Sequence, residues 1–278
     1  MNWFRDFIGV VNQFYLVIYT GESEYPWICN EIQKLDETTR QKMKVILKPF
    51  SEFHNYKHER FWMDNNARPE CKISEIADWR LNMLWCEKTH FVRETIEQQY
   101  FDTEYYGWCD VGYFRDTLSP GSEYRERIRK QWPNPNKINR LHKDKVYYGC
   151  NISPTNLHKC YYFHMNHFHN KEPDTGIPRE LYPPLAHLLS GGFYITGREK
   201  ALWWCRRFQD VLEQYITNNA MIQDDQHIIA HCVFTTRGTE SGTMNETMTG
   251  TTSDDFCILK VNETSEDKLW FLFREFLI

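Results

Sequence analysis

The sequence predicts an α/β protein whose central sheet is mostly parallel and carries helices on both faces. Short apolar runs suited to buried strands alternate with longer stretches of helical spacing, the rhythm of such a sheet. Hydrophobic residues make up 41% of 278 residues and charged residues 26%, which supports a sizeable core and excludes a disordered chain. That length reads as a single domain in two halves, 1–115 and 116–278.

The elements follow in order. Residues Trp3 to Val11 have helical spacing and are read as part of the fold, since Asp6, Asn12 and Gln13 break any signal-peptide pattern. Phe14 to Thr20 reads as a buried strand closed by the turn-rich run from Gly21 to Pro26. Pro26 to Met43 returns to helical spacing, Val45 to Phe50 is a short strand, and Ser74 to Gln99 is a long, interrupted helical region. Tyr105 to Tyr113 has strand character, with the strand ending near Asp110. The polar, proline-bearing run Asp116 to Asn139 predicts a surface excursion with helical pieces. Lys145 to Ile152 and Cys160 to Met165 read as strands joined by a turn at Pro154 to Lys159. Ser190 to Gly197 is a glycine-flanked strand or turn, Arg198 to Tyr215 a strong helix, and Asn218 to Phe234 a loop feeding a helix. The Thr, Gly and Ser tract at 235–255 has too few apolar groups to hold itself down and predicts a mobile loop. A strand at Phe256 to Val261 and a segment at Trp270 to Phe276 close the chain.

Several function classes drop out on composition. The net charge is -5 and the basic residues are scattered, so the footprint of a nucleic-acid binder is missing. Nine dispersed cysteines without a C-x-x-C pair argue against a disulfide framework or a zinc ribbon and for a reducing, cytoplasmic setting. No stretch approaches the ~18 apolar residues of a transmembrane segment. Aromatic residues are 16% of the chain, which suits a large core and a ligand cleft alike.

Ligands of open α/β sheets sit at the carboxyl ends of the strands, so the exits near Thr20 to Glu22, Asp110 to Arg115 and Ser190 to Gly192 are the places to look. In WCDVGYFR, Asp110 stands at a strand exit, where a carboxylate can hold a divalent cation or a ribose hydroxyl, or simply bond to its own turn. The glycines of SGGFYITG, Gly191 and Gly192, would let a substrate lie against bare main chain, or serve a tight turn. Neither the P-loop nor the G-x-G-x-x-G spacing occurs. In QDDQHIIAH, Asp224 and Asp225 at a helix entrance can act as a general base or as a helix cap, with Gln226 beside them. His227 and His231 lie four apart and could share a helix face as metal ligands, although the Glu of H-E-x-x-H is absent. The histidines of HMNHFH do not all share one strand face and read as core or solvated side chains rather than a metal cluster. Lys88 and Arg80 can neutralise a phosphate or lie on a solvated helix face.

The order WxEKxxFVxxxI, WCDVGYFR, SGGFYITG, DDQ, from about Trp3 to Phe234, resembles the HtrL/YibB-like glycosyltransferases, a family that includes members encoded by large algal viruses. The resemblance implies a GT-A type fold, with a nucleotide-sugar binding half at 1–115 and an acceptor half at 116–278. It implies a nucleotide-sugar donor, a UDP-sugar with xylose among the candidates, and a glycan acceptor, with the chain in the cytoplasm, the host's if it is viral. Asp110 takes the place of the D-x-D motif and would hold Mn²⁺ or Mg²⁺. Lys88 or Arg115 would stabilise the leaving group, Gly191 and Gly192 would line the sugar or acceptor site, and Asp224 or Asp225 would meet the acceptor hydroxyl. The second acid of D-x-D is replaced by Gly112, so His231 or another late ligand would have to complete a metal site. The chain also opens on a helix rather than on the leading strand of such folds. Either the N-terminus is shortened or the base is held by Tyr19 to Glu22, a stretch that includes Thr20 and Gly21. A metal-dependent hydrolase using Asp224, Asp225, His227 and His231, and a non-catalytic carbohydrate-binding module, are the rival readings.

Overall fold

The computed structural model describes residues 2–115, 123–151, 154–183, 188–235, 245–247, 250–252, 254–259 and 271–278. The first half of the chain runs α1 (Asn2–Ile8), β1 (Leu16–Thr20), α2 (Tyr25–Ile32), α3 (Glu37–Arg40), β2 (Met43–Leu47), α4 (Glu59–Asn66), α5 (Trp79–Glu97) and β3 (Tyr105–Cys109). Then come α6 (Glu123–Gln131), α7 (Pro135–Ile138), β4 (Val146–Cys150), α8 (Pro154–His169), β5 (Leu189–Gly197), α9 (Arg198–Thr217) and α10 (Asp225–Thr235). Short strands β6 (Asn245–Thr247) and β7 (Gly250–Thr252), then β8 (Phe256–Leu259) and α11 (Leu272–Phe276), complete the order.

The α/β class holds, and the parallel pairing is confined. Strands β1 and β2 form a parallel two-stranded sheet. The larger sheet has the order β3-β5-β4-β8-β7-β6, and in it only β4 and β8 run parallel. β5 returns between β3 and β4 in the opposite direction and pairs antiparallel with both, and β7 is antiparallel to β8 and to β6. That reversal corrects the expectation of a mostly parallel central sheet, and it has a local consequence. Gly191 and Gly192 sit not at the exit of a parallel strand but near the start of β5, level with the end of β3, where the Asp110 amide donates to the Gly192 carbonyl at 2.8 Å.

Alternation along the strands sends side chains to both faces. Tyr194 of β5, Val146 and Tyr148 of β4, and Phe256 and Ile258 of β8 join one core, shared with α5, α8, α9 and α10. Phe193, Ile195, Tyr147, Cys257 and Leu259 point the other way, into a core with Phe7 of α1, Ile128 of α6 and Leu272 of α11. Helices therefore cover both faces, as the strand patterns require. A smaller cluster of Phe4, Ile8, Ile28 and Ile32 packs α1 and α2 beside β1 and β2.

Two helices carry the main core and show why they form. In α9, Ala201, Trp204, Cys205, Phe208, Val211, Leu212 and Tyr215 are buried, a stripe at intervals of three and four. Helix α5 starts at Asp78, whose carboxylate accepts from the amides of Arg80 and Leu81, and it buries Met83, Cys86, Val92 and Ile96 on one side. The run Cys160 to Met165, expected as a strand, lies inside α8, and the expected turn at Pro154 to Lys159 is its first turns. Proline at the first helical position and the contacts of His164 with Phe168, four residues on, belong to a helix. Within the tract expected as a mobile loop, Asn245–Thr247 and Gly250–Thr252 pair at the sheet edge. Its remainder at 236–244, 248–249 and 253 lies outside the described residues, as do 116–122 of the expected surface excursion and 261–270. Among the described residues no helix is long and apolar enough to cross a membrane.

Candidate functional site

The end of β3, the start of β5, the middle of α5 and the start of α10 meet at one point. There Lys88 Nζ lies 2.9 Å from Asp225 Oδ2 and 3.3 Å from Asp110 Oδ1, and it donates to the Gly191 carbonyl at 2.9 Å. The Lys88 and Asp225 side chains are 9% and 4% exposed, whereas Asp110 is 38% exposed. The cluster thus has an inner, dry side and an outer face reached through Asp110. The Trp108 indole N–H donates to Asp110 Oδ1 and holds the carboxylate from below.

Each side chain is placed by its element. Lys88 is three residues from Trp85 and from Phe91 and four from Val92, so it projects from the inward face of α5 rather than from a solvated one. Asp225 is the first residue of α10. The preceding Asp224 accepts the His227 amide at 3.0 Å, so Asp224 caps the helix and leaves Asp225 to face Lys88.

The electrostatics follow from burial. Burial works against the Lys88 ammonium, yet Asp110 and Asp225 outweigh it and raise its pKa, so it stays charged. Burial raises the carboxyls of Asp224 and Asp225 to about 6, against the opposing pull of Lys88 on both and of the helix amides on Asp224. An acid raised in this way can exchange a proton near neutral pH.

Gly191 and Gly192 leave the cluster room. A β-carbon on Gly191 would stand 3.0 Å from Asp225 Oδ2 and 3.0 Å from Gln226 Cγ, and one on Gly192 would stand 3.3 Å from Asp110 Oδ2. Gly191→Ala is therefore expected to push the Asp225 carboxylate away from Lys88 and to destabilise the fold by about 1–3 kcal/mol. Urea unfolding measures this, and a midpoint equal to that of the wild type contradicts it. Against Lys88, Gly191 and Asp225 lies a cavity of ≈ 10 Å³, about the room one water molecule needs. It admits a hydroxyl-sized group and excludes a sugar ring.

A second space opens on the outer side. Trp3, Phe4, Trp27, Ile28 and Val111, with Ser23 and Glu24 at one end, line a groove of ≈ 370 Å³, in the size range of small-ligand sites. Val111 directly follows Asp110, so the chain that carries Asp110 runs on into the wall of the groove. Thr20 and Gly21 lead from β1 to its Glu24 end, and the Arg115 guanidinium lies 5.1 Å from the centre of the Trp3 ring. Of the expected residues, Asp110, Lys88, Asp225, Gly191 and Gly192 therefore meet in the cluster, with Gln226 packed against Gly191. Thr20, Gly21 and Arg115 belong to the groove side.

His231 lies elsewhere, which corrects its place as a metal ligand. Its Nδ1 is 2.9 Å from the Tyr215 hydroxyl, which His227 Nε2 also approaches at 3.2 Å, and the ring is buried against Phe168. Burial lowers the His231 pKa to about 3, so it is a neutral core side chain. Asp110 and His231 do not form a joint donor set, and the Asp224, Asp225, His227 and His231 quartet of the hydrolase reading divides between Lys88, a helix cap and Tyr215. Among the described residues no group of three or more His, Cys, Asp or Glu side chains is arranged to hold a metal ion.

Two further contributors stand outside the residues expected from the sequence. Trp108 is two residues before Asp110 and so on the same strand face, a signal that was available. The Trp3 and Trp27 groove joins α1 to α2, and no local pattern announces that pairing. No family model matches the chain, and neither a curated protein nor a solved structure matches it.

Proposed function

We propose that the chain is a glycosyltransferase that moves a sugar from a nucleotide donor to a hydroxyl of a glycan acceptor within a GT-A-like fold. A UDP-sugar is the proposed donor, with UDP-xylose among the candidates. One observation carries the reading: the Asp110 carboxylate borders a buried Lys88–Asp225 pair on one side and, through Val111, an aromatic groove of ≈ 370 Å³ on the other. A nucleotide sugar needs this combination, a surface on which a base and ribose can stack beside charged groups that act at the anomeric carbon.

In the proposed reaction the nucleoside lies in the groove and the anomeric carbon faces Asp110. The acceptor hydroxyl reaches toward Asp225, which takes its proton as the oxygen bonds to the anomeric carbon. The bond from that carbon to the phosphate oxygen breaks, and its electron pair leaves with the nucleoside diphosphate. Before transfer two carboxylates face the Lys88 ammonium. Once Asp225 is protonated only Asp110 opposes it, so the positive charge is freed toward the departing diphosphate as negative charge develops there. One base and one displacement give inversion.

The pH dependence follows from the raised acids. The base must be ionised, so kcat/KM is expected to rise as pH increases through about 6 and to level off above it. A profile that is flat or falling between pH 5 and pH 8 contradicts a carboxylate base of this kind.

The direct test is release of nucleoside diphosphate from a panel of nucleotide sugars with and without glycan acceptors. The reading predicts release that requires an acceptor and is matched by a new glycoside. Release without any acceptor makes the protein a hydrolase. Glycan binding without nucleotide turnover makes it a binding module.

A further inference from the structure

We infer that Lys88 is a built-in cation that fills the position a divalent metal would take between Asp110 and Asp225, so that the site works without bound Mn²⁺ or Mg²⁺. This departs from the metal expected on the resemblance. It rests on the proposed transferase only for the identity of the substrate anion, because the placement of Lys88 stands on geometry alone.

The three oxygens that converge on Lys88 Nζ are two carboxylate oxygens and one main-chain carbonyl, at 2.9, 3.3 and 2.9 Å. Oxygen donors of this kind, carboxylates together with a backbone carbonyl, are what hard divalent cations select. An ammonium has three N–H donors and no acceptor, and here it donates to the Gly191 carbonyl and forms ion pairs with both carboxylates. The point between the carboxylates is thus filled by a charge that belongs to the chain. A metal ion placed between the two carboxylates would have to displace the Lys88 side chain, which projects from α5 and is 9% exposed. The other acidic residue at this helix entrance, Asp224, is committed to the His227 amide, and the expected late ligand His231 to Tyr215. No second acid follows Asp110 at the D-x-D spacing, since position 112 is glycine. The chain supplies the cation in the place where it lacks the ligand.

The test measures Mn²⁺ uptake by the full chain, followed by the loss of the free-ion signal in electron paramagnetic resonance. The wild type and Asp110→Asn are expected to take up the same amount, because no bound ion depends on Asp110. Lys88→Ala empties the position and is expected to gain a Mn²⁺ site at least about tenfold tighter than any in the wild type, lost again in Lys88→Ala/Asp225→Asn. A site in the wild type that Asp110→Asn removes overturns the inference, and so does a folded Lys88→Ala that gains no Mn²⁺. Should Lys88→Ala fail to fold, Lys88→Met is the second variant, and the wild type against Asp110→Asn decides without either. In a parallel arm the affinity for UDP is expected to be equal in EDTA and in Mn²⁺, and a tenfold gain with Mn²⁺ in the wild type overturns the inference. A chain that binds no UDP at all removes the transferase reading, while the Mn²⁺ comparison still judges Lys88.

Discussion

Asp225→Asn lowers sugar transfer by about 10²- to 10⁴-fold, the usual contribution of a positioned base, while the chain stays folded. Asparagine keeps the size of the side chain, and the start of α10 remains capped by Asp224. Kinetics at saturating donor, with circular dichroism as the folding control, measure both effects. The companion variant separates the two neighbours. Asp224→Asn keeps a side-chain oxygen that can accept the His227 amide, and asparagine caps helices about as well as aspartate, so its turnover should stay within a few fold of the wild type. Equal losses in the two variants would contradict the assignment of the base to Asp225.

Lys88→Ala is expected to destabilise the fold by about 3–5 kcal/mol, because it strands a buried carboxylate at Asp225 without its counter-charge. The exposure of Asp225, 4%, leaves little water to replace the ammonium. Lys88 is also what opposes the upward push of burial on Asp225, so its removal raises that acid further and favours its protonated form. The sign is then fixed: the deficit of the variant against the wild type should shrink as pH falls from 7 to 5, where Asp225 takes up a proton. Urea unfolding at both pH values measures it. A double variant, Lys88→Met/Asp225→Asn, removes both charges and should recover most of the loss, whereas simple addition of the two single effects would show that the pair is not coupled.

What the sequence made legible, and what it concealed, divides by the range of the interactions. Helix α9 was readable from Arg198 because its buried stripe repeats every three to four residues. The end of β3 near Asp110 is readable too, while the glycine-flanked run Ser190 to Gly197 leaves strand or turn open and is a strand. Strand direction is not readable, since β5 runs antiparallel through partners that lie far apart in the chain, Tyr105 with Gly197 among them. The same reversal brings Gly192 onto Asp110, so the best-formed contact of the site came from a feature that alternation of helices and strands does not predict. The aromatic run from Cys160 to Met165 predicts a strand because Tyr and Phe favour strands, and packing of His164 and Phe168 onto α10 overrides that preference. Asp224 and Asp225 looked equivalent as a dipeptide, and only the capping bond tells them apart. For Lys88 the sequence leaves a phosphate contact and a solvated helix face open, and only the core-facing side of α5 decides against the solvated one.

The most direct measurement of the central claim is a thermal-shift titration with nucleoside diphosphates on the wild type, Trp3→Ala and Lys88→Met. Trp3 is 48% exposed, so its loss should cost the groove a stacking surface while sparing the core. At 100 times its Kd a ligand stabilises the folded chain by about 2.7 kcal/mol, which for a protein of this size is a rise in Tm of roughly 5–10 °C. The account predicts such a rise for at least one nucleoside diphosphate with the wild type, and a much smaller one with either variant at the same concentration. No rise with any of them, or an equal rise in all three proteins, would contradict a nucleotide-sugar cleft built on Asp110, Lys88 and Asp225.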